Sequence, residues 1–132
     1  MDSRRLAHLC RKLADDKKGE NIVILDMRKL SSITDYFVVV SVTSEPHLRA
    51  VAEEVRDKLR EKHGLRPRVV DGSAHSSWLV LDYFDVIVHV MKADVRARYD
   101  LETLWGDAPR LSGATASSTS PRPSRPRARA RG

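Results

Sequence analysis

The stretch WLVLDYFDVIVHVM at residues 78–91 decides the fold, because it predicts a β-hairpin that is apolar on both faces. Its turn is predicted at Tyr83-Phe84. Since side chains alternate along a strand, that turn places Trp78 opposite His89. A sheet that is apolar on both sides must be covered on both sides, so the hairpin predicts a layered α/β fold.

The predicted hairpin has one aliphatic face and one mixed face. The aliphatic face is typical of a core and holds Leu79, Leu81, Val86, Val88 and Val90. The mixed face holds Trp78, Val80, Asp82, Asp85, Ile87, His89 and Met91. Protein interfaces favour aromatic and methionine anchors, so the mixed face has the composition of an interaction surface. The last helix of the chain could equally cover it, and the pattern alone leaves both interpretations open.

The remaining segments follow from periodicity and capping signals. Residues 3–17 predict an amphipathic helix, and Ser44 and Gly64 are the expected N-cap and C-terminal stop of a second helix. Strands are predicted at residues 21–26, 36–42 and 66–71, a polar loop at 72–77, and a last helix at 94–104. The order α-β-β-α-β-β-β-α predicts an α/β protein in which helices flank a mixed β-sheet.

The positive charge of the chain is concentrated at its C-terminal end. The net charge is +6, but residues 113–132 contain five arginines and no acidic residue, so residues 1–112 carry only +1. We predict one domain at 1–112 and a disordered Arg/Pro/Ser-rich tail at 113–132. The tail is a candidate for nonspecific contacts with RNA phosphates, or it only adds solubility.

Other bulk features place the protein in the cytoplasm. Cys10 is the only cysteine, which fits a reducing compartment. No apolar run approaches the roughly 18 residues that cross a bilayer, so no membrane contact is expected. The histidines at 63, 75 and 89 match no zinc-binding spacing with Cys10, and no phosphate-binding glycine loop is present. We therefore predict no catalytic residue, no metal and no cofactor.

Several short motifs resemble the ribosomal silencing factor family, also described as Iojap-like. They recur in the family's order and spacing across residues 4–109. These motifs are Leu30-Ser31, Thr34-Asp35-Tyr36-Phe37-Val38, Thr43-Ser44, Gly72, Trp78-Leu79-Val80-Leu81-Asp82-Tyr83, Val88-His89-Val90, Arg96, Tyr99, Leu101-Glu102, Leu104-Trp105 and Asp107-Ala108. The chain departs from the family at Phe84, where a glycine is usual, and at Pro46-His47, where Arg-Gln is usual.

The resemblance implies a nucleotidyltransferase-like α/β fold without transferase activity. It further implies that the protein binds the large ribosomal subunit through large-subunit protein number fourteen, blocks association with the small subunit and represses translation. Homodimers are also implied. Two alternatives remain, a nucleotidyltransferase-related enzyme and an RNA-binding module, although the latter predicts a basic stripe on a fold whose net charge is only +1.

The mixed end of the hairpin is the predicted site for the ribosomal protein. Its predicted partner-binding residues are Trp78, Asp82, Tyr83, Asp85, His89, Met91 and Lys92. Of these, the apolar anchors are expected to be Trp78, Tyr83 and Met91. The carboxylates of Asp82 and Asp85 are expected to face basic groups of a cationic ribosomal protein. Leu104 and Trp105 are expected to belong to the core.

Overall fold

The computed structural model describes residues 1–111 of the chain. The helices and strands of this part are α1 (Ser3–Asp16), β1 (Glu20–Asp26), β2 (Tyr36–Val42), α2 (Glu45–His63), β3 (Val69–Ser73), β4 (Trp78–Asp82), β5 (Val86–Lys92), α3 (Ala93–Tyr99) and α4 (Leu101–Leu104). None of these helices combines the length and the apolar character needed to cross a membrane. The predicted tail at 113–132 and the predicted domain boundary at 112 lie outside the described residues.

The strands form one five-stranded mixed sheet in the order β1-β2-β5-β4-β3. The central pair β2–β5 is parallel, whereas β1–β2, β4–β5 and β3–β4 are antiparallel. The predicted mixed sheet with flanking helices is therefore confirmed. The third strand begins and ends later than predicted and lies at an edge of the sheet, where its residues are exposed.

Helices α1 and α2 cover one face of the sheet, named here the first face. The side chains of α1 that face the sheet recur at helical spacing and are buried: Leu6, Ala7, Cys10, Leu13 and Ala14. The Asp2 carboxylate caps this helix by accepting from the Arg5 amide at 2.8 Å. On the sheet, the aliphatic side of the hairpin contributes to the same core, as predicted, since Leu81 and Val88 are fully buried.

The capping residues of α2 behave as the sequence predicts. The Ser44 hydroxyl accepts from the His47 amide at 3.2 Å at the start of the helix. Gly64 ends the helix in the left-handed region with φ of 65°, and its amide donates to the Arg60 carbonyl at 3.0 Å. A residue with a Cβ adopts this backbone conformation only with strain, which explains the glycine.

The predicted last helix is two short helices. Asp100 interrupts it with φ of 46°, and the Asp100 side chain accepts from the Thr103 amide at 3.3 Å to start α4. Because α4 begins afresh at Leu101, its side chains point in directions that a continuous helix would not give them. Leu104 is 68% exposed, so the prediction that it belongs to the core is wrong.

Helices α3 and α4 and the residues after them cover part of the opposite face, named the second face. Val95 and Leu101 pack on Val39 and Met91, and Ala108 packs near Leu25 in a separate cluster. Residues 109–111 then run along the outer edge of β1, where the Asp26 amide donates to the Pro109 carbonyl at 2.7 Å. Within residues 1–111 the C-terminal helices therefore cover only a part of this face, and the β4 side of it is left partly exposed.

The hairpin turn lies one residue later than predicted. Trp78 pairs with Met91, not with His89, while the two faces of the hairpin keep their predicted composition. The amide of Asp85 donates to the Tyr83 carbonyl at 2.9 Å, which makes a three-residue turn with Phe84 at its centre. Phe84 has φ of 74°, a conformation that glycine adopts more easily. Its ring is exposed, and the guanidinium carbon of Arg68 lies 4.0 Å from the ring centroid.

Gly72 allows β3 to approach β4 beside Trp78. Its φ is 78°, and a Cβ at this position would collide with the backbone carbonyl oxygen of Trp78. The collision is with backbone on a paired strand, so no rotamer change relieves it. Gly72 therefore fixes the strand from which Trp78 projects.

We predict that Gly72→Ala lowers the free energy of unfolding by about 1–3 kcal/mol, because alanine adds both backbone strain and a backbone collision. Urea denaturation measures this. Gly106→Ala is the matched control, since a Cβ there would lie 3.2 Å from the Thr103 carbonyl oxygen and the φ angle is not positive. Equal stability of the two variants would contradict the assigned role of Gly72.

Candidate docking surface

A row of aromatic rings crosses the second face of the sheet. The centroid of the Trp78 indole lies 5.0 Å from that of Tyr99 and 6.0 Å from that of His89. The Phe37 ring lies 4.8 Å from His89 and 6.1 Å from Trp105, both in edge-on geometry. Three strands and the ends of α3 and α4 are thereby connected by what we name the aromatic row.

His89 is the polar centre of the aromatic row. Trp78 Nε1 donates a hydrogen bond to His89 Nδ1 at 3.1 Å. Because an indole N–H can only donate, the proton of the neutral imidazole must lie on Nε2. The buried Nε2 has no hydrogen-bond partner within residues 1–111. Burial penalises the imidazolium and lowers the pKa of His89 to about 4, so the side chain is neutral at physiological pH and orients Trp78.

Three of the seven predicted partner-binding residues are interior side chains. His89 and Met91 are buried on the second face, and α3 packs over Met91. Tyr83 lies on the first face, in the core formed with α1 and α2. Its hydroxyl is buried with no partner within residues 1–111, and burial raises its pKa. The prediction that Tyr83 and Met91 face outward is therefore wrong, because the core and the C-terminal helices already cover them.

The other four predicted residues reach the surface: Trp78, Asp82, Asp85 and Lys92. Asp82 is partly buried and already has two partners, because its Oδ1 accepts from the Phe84 amide at 2.8 Å and its Oδ2 accepts from Arg68 Nη2 at 2.9 Å. The first contact stabilises the hairpin turn. Asp85 is exposed, and its carboxylate is free of such contacts within the described residues.

The β4 side of the second face is open to solvent within the described residues. Trp78, Val80 and Asp82 are only partly buried on this strand, and the neighbouring β3 is exposed along its length. This open region and its margins are named the docking face and consist of Trp78, Val80, Asp82, Asp85, Ile87, Lys92 and Tyr99. It combines an aromatic anchor, aliphatic surface and carboxylates.

Sequence reasoning did not assign Tyr99 to the site. Its ring is 54% exposed and packs against Trp78 at the edge of the docking face. The available signal was an aromatic residue inside the otherwise charged segment RARYD. Trp105, predicted to be core, is partly buried and packs against Phe37 at the other end of the aromatic row.

Arg96 holds the C-terminal helices over the second face. Its Nε and Nη2 donate to the two carboxylate oxygens of Glu102 at 2.9 and 3.0 Å. Its Nη1 donates to the Asn21 carbonyl at 2.6 Å and to the Ser41 hydroxyl at 2.9 Å. Two-pronged arginine–carboxylate contacts are among the stronger hydrogen bonds of proteins. This set of contacts, named the Arg96 clamp, connects α3, α4, β1 and β2.

Groups that could support catalysis or metal binding are dispersed. His75 is exposed in the loop before β4, whereas His89 is buried on the sheet. Cys10 is buried under α1, where burial raises the pKa of its thiol to about 12. Within residues 1–111 no three histidine, cysteine or acidic side chains are grouped so as to hold a metal ion.

Comparisons with known proteins are consistent with one another. The family model described as "Ribosomal silencing factor during starvation" matches residues 1–132. The ribosomal silencing factor RsfS of Halalkalibacterium halodurans is 38% identical over 109 residues, which cover 83% of this chain and 92% of that protein. RsfS of Bacillus subtilis is 36% identical with the same coverage.

A solved structure shows the same architecture. The crystal structure of a protein from Chromobacterium violaceum superimposes with a TM-score of 0.77 at 33% sequence identity, covering 89% of this chain and 97% of that one. More distantly, the chloroplastic protein Iojap of Arabidopsis thaliana is 32% identical over 98 residues, which cover 74% of this chain and 40% of that protein.

We predict that Arg96→Met lowers the free energy of unfolding by about 3 kcal/mol, because it removes the four hydrogen bonds of the clamp and leaves the partly buried Glu102 carboxylate with only the longer contact to Arg110 at 4.0 Å. Chemical denaturation measures the loss. Arg60→Met, which removes only exposed ion pairs with Asp57 and Glu61, should cost less than about 1 kcal/mol. The double variant Arg96→Met/Glu102→Leu should regain part of the stability; no recovery would contradict the clamp.

Acid should destabilise the fold through His89. The unfolded histidine binds a proton near its ordinary pKa of 6.5 and the folded one only near 4, so the unfolded state binds more protons between these values. The free energy of unfolding should therefore fall as the pH is lowered from 6.5 towards 4, by up to about 3 kcal/mol from this residue. Denaturation series at several pH values should show that the free energy of unfolding of His89→Leu changes less with pH than that of the wild type. His75→Gln, at an exposed position, should retain the wild-type dependence.

Proposed function

The chain belongs to the ribosomal silencing factor family, and we propose that it binds the large ribosomal subunit, blocks joining of the small subunit and so represses translation. The names of its relatives associate them with silencing of ribosomes. The resemblance assigns large-subunit protein number fourteen as the partner, and in our proposal the docking face binds that protein.

The open β4 side of the sheet is the observation that carries the proposal. Trp78 presents a large aromatic surface there, and the hydrogen bond to His89 together with the Tyr99 contact restricts its motion before any partner arrives. Anchors that are held in place lose little conformational entropy on binding. Tryptophan is also enriched among the residues that dominate interface energies.

In this proposal the buried residues of the predicted site do not contact the partner but hold the exposed residues in position. Met91 supports the floor under Trp78, since the two are paired across β4 and β5. His89 orients the indole. Tyr83 is proposed to fix the base of the turn from the first face, so that Asp85 stays at its tip.

Charge is proposed to orient the complex. Ribosomal proteins are usually cationic, and complementary charges across an interface raise the rate of association and fix its orientation. Asp85 is the exposed carboxylate at the tip of the turn, and Asp82 adds a partly neutralised one beside it. Lys92 marks the opposite margin of the docking face.

We further propose a regulatory and noncatalytic role in the cytoplasm that needs no cofactor. The relatives' name describes regulation of ribosomes, which supports this reading. A homodimer, which the resemblance implies, is kept as a proposal that sedimentation of the free chain over a range of concentrations would test.

We predict that Trp78→Ala weakens binding to isolated large subunits by about 30-fold or more, which corresponds to the roughly 2 kcal/mol of a dominant anchor. Co-sedimentation with large subunits and a subunit-joining assay measure binding and function. Since Trp78→Ala also removes the bond to His89, Asp85→Lys provides a second variant at an exposed position that should fold normally.

Glu53→Lys on α2 is the control for Asp85→Lys, because it makes the same charge change at an exposed position on the first-face side. It should not weaken binding, whereas Asp85→Lys should do so for isolated protein number fourteen as well as for the whole subunit. Wild-type affinity of folded Trp78→Ala and Asp85→Lys would refute the docking face.

A further inference from the structure

Helix α1 presents a concentrated positive surface although the described part of the chain is nearly neutral. The helix contains no acidic residue before Asp15, and its first turn contains none. Its basic side chains before that point are Arg4, Arg5, His8, Arg11 and Lys12. Arg4, His8 and Arg11 follow one another at helical spacing, so they lie along one side of the helix over roughly 10 Å.

These cations have few counter-charges. Among residues 1–111, Lys12 has a carboxylate within 4.0 Å, that of Asp16 at 3.4 Å, whereas Arg4, Arg5 and Arg11 have none. Residues 112–132 contain no aspartate or glutamate and so supply none either. The Asp2 carboxylate caps the helix through the Arg5 amide. Asp15 and Asp16 therefore counter the charges at the C-terminal end of the helix, whereas Arg4 and Arg5 have no ion pair within the described residues.

The arrangement is unfavourable for the helix itself. A helix N-terminus carries partial positive charge, so Arg4 and Arg5 in the first turn oppose the helix dipole. Burial, and then the charges of Arg4 and Arg11, lower the pKa of His8. Burial lowers the pKa of Arg11, an effect that Asp15 partly offsets. Apart from the contacts of Lys12 with Asp16 and of Arg11 with the field of Asp15, these charges have no stabilising partner in the described residues, and a polyanion would provide one.

We propose that the outward side of α1, named the basic face and formed by Arg4, Arg5, Arg11 and Lys12 with His8 between them, binds the phosphate backbone of RNA. This inference rests on the proposed function in taking ribosomal RNA as the natural partner. RNA offers consecutive phosphates to a row of cations, and neutralising them releases counterions. Because α1 covers the first face of the sheet, the basic face and the docking face can be occupied together.

The low net charge of residues 1–112, which counted against the alternative of an RNA-binding module, is thereby a weaker objection. A net charge near zero excludes a uniformly basic fold, but it does not exclude a basic helix when the acids lie on other elements. In this chain the neighbouring α2 carries five acidic residues (Glu45, Glu53, Glu54, Asp57 and Glu61) and five basic ones (Arg49, Arg56, Lys58, Arg60 and Lys62), so its charges cancel. Helix α1 has four Lys/Arg side chains against two aspartates, so of the two helices only α1 has an excess of positive charge.

The test compares two full-length triple variants with the same change in net charge. One is Arg4→Gln/Arg5→Gln/Arg11→Gln on α1. The matched control on α2 is Lys58→Gln/Arg60→Gln/Lys62→Gln. The probe is a double-stranded RNA oligonucleotide, and its affinity is measured by fluorescence anisotropy at several salt concentrations. The α1 variant should reduce the slope of log K against log salt by about 2 to 3, and the control should not.

Stability provides an independent readout. Removing like charges from the positive end of α1 should leave the melting temperature unchanged or raise it, so weaker RNA binding by the α1 variant would not reflect unfolding. An unchanged slope on RNA overturns the proposal. So does an equal loss of slope in the α2 control, since the effect would then follow net charge and not position.

Binding measurements with whole large subunits distinguish a failure of this inference from a failure of the proposed function. Trp78→Ala should keep the wild-type salt slope on the RNA oligonucleotide while losing affinity for isolated protein number fourteen. If the wild-type chain binds RNA through α1 but fails to bind large subunits, the ribosome-binding proposal is refuted and the RNA-binding face is supported. If subunits bind with a slope that the α1 variant does not change, the contact with ribosomal RNA is overturned.

Discussion

Arg96 places a buried cation between the two C-terminal helices and the strands β1 and β2, and the covering of the second face depends on its contacts. A buried charge is tolerated only when it is paired and hydrogen-bonded, and the Arg96 guanidinium meets this requirement with Glu102, Asn21 and Ser41. Helices of seven and four residues are too short to be stable alone. While the clamp keeps these helices in place, Val95 and Leu101 cover Met91. The neighbouring His89 is also buried and therefore neutral, and its Nδ1 can accept the hydrogen bond that positions Trp78.

The sequence was sufficient for features that depend on local pattern. The apolar spacing of α1, the caps of α2 at Ser44 and Gly64, and the run of β-branched residues in β2 all lead directly to the observed elements. The alternation of the hairpin also predicted which side chains share a face. The membership of the family was recognisable because short motifs kept their spacing over most of the chain.

Features that depend on a single backbone angle or on distant contacts could not be predicted. Phe84 adopts a positive φ that aromatic residues rarely accept, and this moved the turn by one residue. Asp100 broke the last helix in the same way and turned Leu104 outward. The exposure of Tyr83 and Met91 was misjudged because alternation tells which side a residue is on, whereas other elements decide whether that side is covered.

The two tryptophans of the chain, Trp78 and Trp105, both belong to the aromatic row on the second face. None lies on α1 or α2. The intrinsic tryptophan fluorescence of the unlabelled protein is therefore an optical signal from one side of the sheet. Occupation of the docking face should alter the surroundings of the Trp78 indole and shift its emission, while a ligand on α1 should leave the spectrum almost unchanged. The protein thus carries a native probe that reports which of its two sides a ribosomal component has reached.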